Sequence, residues 1–179
     1  MSQKVLVISA SPRKSGNLDT LCDEFIRGVQ ESGNEAEKVF MRDKKICDCT
    51  GCSTFNSAYR CAHQDDMAAI LDKMVVADVI VLATPIYFYT MDGQMKTLID
   101  RTVPRYTEIT NKDFYFIVTV ADTDQVTTKC AISGFRCFAE DCLPNLHEKG
   151  IIYSIGVWQI SEIKNNPVMR QVYEMGKQV

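Results

Sequence analysis

The chain has 179 residues, 46% of them hydrophobic and 24% charged, with 20 Lys and Arg against 23 Asp and Glu for a formal charge of −3 at pH 7. This is the size and composition of one ordinary globular domain, with residues 1–179 read as a single unit, and its mild acidity argues against a nucleic-acid partner. No apolar run is long enough for a membrane span, and MSQKVLVISASPR carries one cation ahead of an apolar core too short for a signal peptide, so the expected compartment is cytoplasmic.

Lys4–Ser9, KVLVIS, reads as a buried strand. Leu18, Leu21, Cys22, Phe25, Ile26 and Val29 then recur on one face of a helix, with Asn17 or Ser15 as its cap and Ser32-Gly33-Asn34 as its stop. Glu35–Phe40 is a short strand, polar enough for a sheet edge. Residues 41–65 are irregular and hold four cysteines. Asp65 and Asp66 precede a helix carrying Met67, Ile70, Leu71 and Met74.

Residues 77–84, ADVIVLAT, form the continuous apolar run of a strand covered on both faces. Pro85 is expected to close it, leaving PIYFYTMDG as a loop before a helix over 94–102. DFYFIVTVA at 113–121 is another buried strand. A helix follows within 125–142, then a fifth strand, GIIYSIGVW at 150–158, and a last helix near 167–177. Strands alternating with helices specify a doubly wound α/β fold, a parallel sheet with helices on both faces. Such sheets bind ligands beyond the carboxyl ends of their strands, so the loops at 9–17, 84–92 and 121–127 should converge.

The first of these loops, SASPRKSGNLDT, sits between a strand and a helix N-terminus, where free N–H groups and the helix dipole favour phosphate. Neither the triphosphate motif GxxxxGK[ST] nor the dinucleotide motif GxGxxG is present. Ser9, Ser11, Ser15 and Thr20 offer hydroxyls, Asn17 an amide and Arg13 a planar cation, a donor set suited to one terminal monophosphate. Asp19 opposes an anion there, and Ser/Pro/Gly/Asn clusters also serve as plain loops and caps. The second loop places Tyr87, Phe88 and Tyr89 side by side, and three consecutive aromatics cannot all point inward. A phosphate at the first loop and a flat ring at the second describe flavin mononucleotide.

ISASPRKSGNLDTL after the first strand, ATPIYFYTMDGQMKTLIDR after the third, and the intervening GC…C…DDM segment resemble the flavodoxin-like superfamily. The nearest branch is that of NAD(P)H-dependent FMN reductases and iron–sulfur flavoproteins. The resemblance implies a flavodoxin-like five-stranded sheet ordered 2-1-3-4-5, with FMN where strands one and three diverge. By position, it sets Ser9, Ser11, Arg13, Ser15, Gly16, Asn17 and Leu18 around the phosphate and the start of the ribityl chain. It sets Pro85, Ile86, Tyr87, Phe88 and Tyr89 against the isoalloxazine, and Asp122 at the ring's polar edge. It also implies homodimers whose partner covers part of the flavin.

The expected chemistry is hydride transfer from NADPH or NADH to the flavin, then electron transfer to a small acceptor such as a quinone, flavin, nitro compound or metal ion, in ping-pong fashion. No side chain is required as a general base. Competing readings are a one-electron carrier docking on protein partners, and a thiol or metal sensor around residues 47–63. A [4Fe–4S] cluster needs four directed thiolates. Cys49 and Cys52 fit the start of the iron–sulfur pattern and Cys61 its end, but Phe55 stands at the third position and Cys47 is off-pattern, so thiols without metal are expected. Zinc on some of Cys47, Cys49, Cys52, Cys61 and His63 lacks the paired ribbon spacing. Cys130 and Cys137 are read as small packing groups on a shared helix face, and Trp158 as a packing residue.

Overall fold

A computed structural model describes residues 2–52 and 61–179. Six strands alternate with five α-helices: β1 (Lys4–Ser9), α1 (Asn17–Glu31), β2 (Glu35–Phe40), α2 (Met67–Val76), β3 (Val79–Tyr87), β4 (Thr90–Met91), α3 (Gly93–Asp100), β5 (Lys112–Thr119), α4 (Lys129–Arg136), β6 (Leu146–Ser154) and α5 (Val168–Lys177). The parallel sheet runs β2-β1-β3-β5-β6, and two-residue β4 pairs antiparallel with the end of β3. The expected 2-1-3-4-5 order is therefore present, with one short strand added.

Alternation sorts the central strands between two cores. Val5, Val7, Val79, Val81 and Ile117 face α1 and α5, while Leu6, Ile8, Ile80, Leu82 and Phe116 face the opposite layer of α2, α3 and α4. Both faces are dry, as a parallel sheet requires. β2, at the edge, alternates exposed and partly buried residues. α1 and α5 cross closely at two glycines: a Cβ on Gly28 would lie 2.3 Å from the Tyr173 carbonyl oxygen, and one on Gly176 2.2 Å from that of Phe25.

Four local expectations are corrected. α1 starts on Gly16 with no capping side chain, rather than on a Ser15 or Asn17 cap. Pro85 does not close β3, which continues to Tyr87. The Ala83 carbonyl accepts from Ala10 N, so strand alternation aims position 85 at the same side. β1 has ended there at Ser9, and the missing proline N–H costs no ladder bond. β6 begins four residues before the expected strand and ends at Ser154, beyond which Gly156, at φ 70°, turns the chain out of the sheet. Finally, Cys130, Cys137 and Cys142 are exposed, and Ala131, Ile132, Phe135, Phe138 and Ala139 make the buried stripe of α4 and the π-turn that extends it over Cys137–Cys142.

Candidate functional site

The β1–α1 loop is folded upon itself. Ser11 Oγ donates to the Arg13 carbonyl at 2.9 Å and accepts from Arg13 N at 3.2 Å, and Gly16 N donates to the same carbonyl at 3.1 Å. A Cβ on Gly16 would sit 2.9 Å from that of Arg13, so glycine is required by the tightness of the turn. Because nothing caps α1, its leading N–H groups open toward the loop, ready for an acceptor from outside. Asp19 does not oppose this. Its Oδ1 takes Lys38 Nζ at 2.6 Å and its Oδ2 takes Ser15 N at 2.8 Å, so its charge is neutralised and turned to holding the loop.

The second wall is the β3–β4 hairpin. Ile86 pairs with Met91 and Tyr87 with Thr90 across a two-residue turn whose residues, Phe88 and Tyr89, have φ of 49° and 70°. Left-handed backbone costs an aromatic residue on the order of 1 kcal/mol. The strained turn carries Tyr87, Phe88 and Tyr89 into solvent, Phe88 being 99% exposed.

The third wall comes from Thr119 at the end of β5, Val120 and Ala121 just beyond it, and Val157 and Trp158 after β6. Val120 N donates to the Ser154 carbonyl and Val157 N to that of Val120, closing the strand ends together. Long-range bonds tie this wall to the first: Arg13 Nη1 donates to the Trp158 carbonyl at 3.2 Å, and Asn17 Nδ2 to that of Gln159 at 2.8 Å.

The three walls meet in an open cleft enclosing only about 110 Å³, well below a site that buries a whole cofactor. Of the residues expected at a flavin, Ser11, Arg13, Gly16, Asn17, Leu18, Pro85, Ile86 and Tyr87 line it. Ser9 does not: it is fully buried beside the thiol of Cys22, whose pKa burial pushes up to about 12. Ser15 is exposed and serves the loop through its N–H. Phe88 and Tyr89 project past the cleft as its rim. Asp122 accepts from Asp124 N and Gly156 N, which shapes the turn after β5 rather than the cleft wall. Trp158, expected to pack, is instead 61% exposed on the rim.

Pro12 and Tyr87 also border a second chamber of about 510 Å³, whose other walls are the segment after β2 and the start of α3. Asp92 lies in its wall, 5% exposed. Its Oδ1 caps α3 by accepting Met95 N at 2.9 Å and lies 3.4 Å from Thr84 Oγ1. Burial pushes its pKa up to about 6, against the lowering effect of those two hydrogen bonds.

Of the cysteine segment, Phe55 falls outside the described residues. Cys47 and Cys49 are exposed and Cys61 is half-buried. Among the described residues, no set of three or more His, Cys, Asp or Glu side chains is arranged to hold a metal ion, and no helix is long and apolar enough to cross a membrane.

An uncapped helix start and an aromatic hairpin meet at the carboxyl ends of β1 and β3 in a flavodoxin-like α/β fold. A sequence profile described as NADPH-dependent FMN reductase matches residues 3–129, and the chain belongs to that family. An iron–sulfur flavoprotein of Archaeoglobus fulgidus is 40% identical over 101 residues, covering 56% of this chain and 46% of that protein. YwqN of Bacillus subtilis, named a putative NAD(P)H-dependent FMN-containing oxidoreductase, is 29% identical over 98 residues, covering 55% and 51%. The chain thus spans about half the length of these relatives. Among solved structures, a flavone reductase superposes with a TM-score of 0.76 at 22% identity, over 98% of this chain and 61% of its own, which is a likeness of fold.

Proposed function

We propose that the chain is an FMN-dependent oxidoreductase that takes hydride from NADPH or NADH and passes electrons to a small acceptor. The observation that carries this reading is the convergence of the uncapped α1 start, the aromatic hairpin and the Trp158 wall on one cleft. The residues present fit FMN. The leading N–H groups of α1, the Ser11 hydroxyl and the Arg13 guanidinium would hold the phosphate, while Pro85, Ile86, Tyr87 and Trp158 would border the ring. Bound there, FMN supplies the hydride-accepting chemistry. The protein's part is to orient it and leave one face open, so that nicotinamide and acceptor use the same space in turn.

Because the cleft is shallow and its rim aromatic, a second copy of the chain would complete it. Tyr87, Phe88, Tyr89 and Trp158 all remain substantially exposed without one, and contiguous exposed apolar surface of this kind marks an interface. The name of the Archaeoglobus relative, an iron–sulfur flavoprotein, also fits a second reading, a carrier of electrons between proteins.

Titration of the protein with FMN and with riboflavin, followed by anaerobic addition of NADPH, tests the assignment. FMN should bind far more tightly than riboflavin, and NADPH should bleach the bound flavin. Equal affinity for both would defeat the phosphate site. Bleaching by neither nicotinamide, together with stoichiometric iron, would favour the carrier.

A further inference from the structure

We propose that Glu162 is a positioning residue for the redox site: its carboxylate sets the backbone of Trp158, so that the indole forms a fixed aromatic border for the isoalloxazine. The proposal deepens the FMN reading above and rests on it. Trp158 lines the cleft and is 61% exposed. An aromatic side chain of that size, uncovered at a cleft wall, has apolar surface to offer a flat ligand.

The segment that carries Trp158 is neither helix nor strand, and it is nevertheless fully bonded. Trp158 N and Gln159 N both donate to Glu162 Oε2, at 2.6 and 2.8 Å. On the other side, the Trp158 carbonyl accepts from Arg13 Nη1 and the Gln159 carbonyl from Asn17 Nδ2. Both N–H groups and both carbonyls of two consecutive irregular residues thus have side-chain partners. Val157 and Ile163, buried in the core of α1 and α5, pin the ends of the segment. Between them Ser161, at φ 73°, turns the chain.

The two sides of this clamp differ in what else they serve. Arg13 and Asn17 belong to the loop assigned to the phosphate, and both line the cleft. Glu162 is exposed, stands outside the cleft lining, and among the described residues its carboxylate accepts only these two N–H groups. A charged acceptor makes such bonds roughly twice as strong as a neutral one. Loss of Glu162 therefore frees the ring border, whereas loss of Arg13 would disturb phosphate and border together.

The sequence has a single tryptophan, so intrinsic emission reports on Trp158. The test compares wild type with Glu162→Ala, Glu162→Gln, Trp158→Ala and the Glu162→Ala/Trp158→Ala double variant. In flavin-free protein, Glu162→Ala should lower the emission anisotropy. Glu162→Gln, which keeps an amide oxygen for the same N–H groups, should retain most of it. Titrated with FMN and with riboflavin, Glu162→Ala and Trp158→Ala should each weaken both ligands by about 5-fold, the scale of one aromatic contact. The double variant should lose no more than either alone, because Glu162 acts through Trp158. Unchanged anisotropy or unchanged affinity in Glu162→Ala overturns the proposal. So does a loss confined to FMN, or losses that multiply in the double variant, since either assigns Glu162 to the phosphate loop. A wild type that binds neither flavin defeats the FMN reading, and the anisotropy, which needs no flavin, shows whether the clamp has failed with it.

Discussion

Arg101 grips Asp65 with both ends of its guanidinium, Nη1 to Oδ2 at 2.8 Å and Nη2 to Oδ1 at 2.9 Å, and the two side chains are 1% and 7% exposed. The pair links the end of α3 to the segment before α2. Asp65 also accepts the N–H of Cys47 and of Met67, and Arg101 donates to the Cys47 carbonyl. One ion pair thus anchors the near end of the cysteine segment.

Removing one partner leaves a buried charge alone, so Asp65→Asn should destabilise the protein by about 3 kcal/mol, read by urea denaturation. The Arg101 hydrogen bonds, with those of Cys47 and Met67, hold Asp65 down to about pKa 2 against the opposing effect of burial. Its stabilisation, about 2 kcal/mol, is complete above the ordinary carboxylate pKa and is lost as pH falls through about 2. Acid titration of wild type should show this loss, and the variant should lack it.

Asp92 has the opposite sign. Its pKa is raised, so the folded state holds a proton that the unfolded chain has released, and stability falls as pH rises from about 4 through about 6. Asp92→Asn should therefore be more stable than wild type at about pH 8, by roughly 3 kcal/mol, with the gap closing in acid. A melting-temperature difference independent of pH would contradict this.

The α1–α5 crossing reverses the usual helix rule. Alanine normally gains about 1 kcal/mol over glycine inside a helix. At Gly28 and Gly176 the new methyl would strike a backbone carbonyl that cannot yield cheaply. Each Gly→Ala variant should lose 1–3 kcal/mol, in the range of overpacked cores, measurable as a lower denaturation midpoint.

The hairpin should show strain exchanged for surface. Phe88→Asn with Tyr89→Gly places residues tolerant of positive φ at both turn positions. The double variant should be more stable by about 1 kcal/mol. It should also bind FMN more weakly, and elute as a smaller species if the aromatic tip covers a second copy. Size-exclusion chromatography and flavin fluorescence check both halves.

The first half of the fold was legible because local pattern and tertiary fate agree there. β1, α1 and β2 are found within a residue of their expected limits. Pro85 misled because a proline breaks a strand only where its N–H is needed, and whether β1 has already ended cannot be seen in β3's own residues. β6 was displaced because its first residues, Leu146 to Lys149, lie at an edge that tolerates charge, so no apolar run announces it. Trp158 was missed for a different reason. Its segment is held by Arg13, which donates to the Trp158 carbonyl, and by Asn17, which donates to that of Gln159, both more than 140 residues away, and no local window carries that information. Ser9 faced the wrong way by strand alternation, which puts it with Val5 and Val7 against α1 rather than at the cleft.

The stitching of the Trp158 segment to Arg13 and Asn17 divides labour along the chain. The family profile ends at residue 129, and Val157 and Trp158, part of one side of the cleft, come from beyond it. On the proposed FMN reading, the residues that would hold the phosphate lie within the profile, while Trp158, which would border the ring, lies outside it. Replacing residues 155–163 would alter that border and, through the bonds to Arg13 and Asn17, the set of the first loop as well.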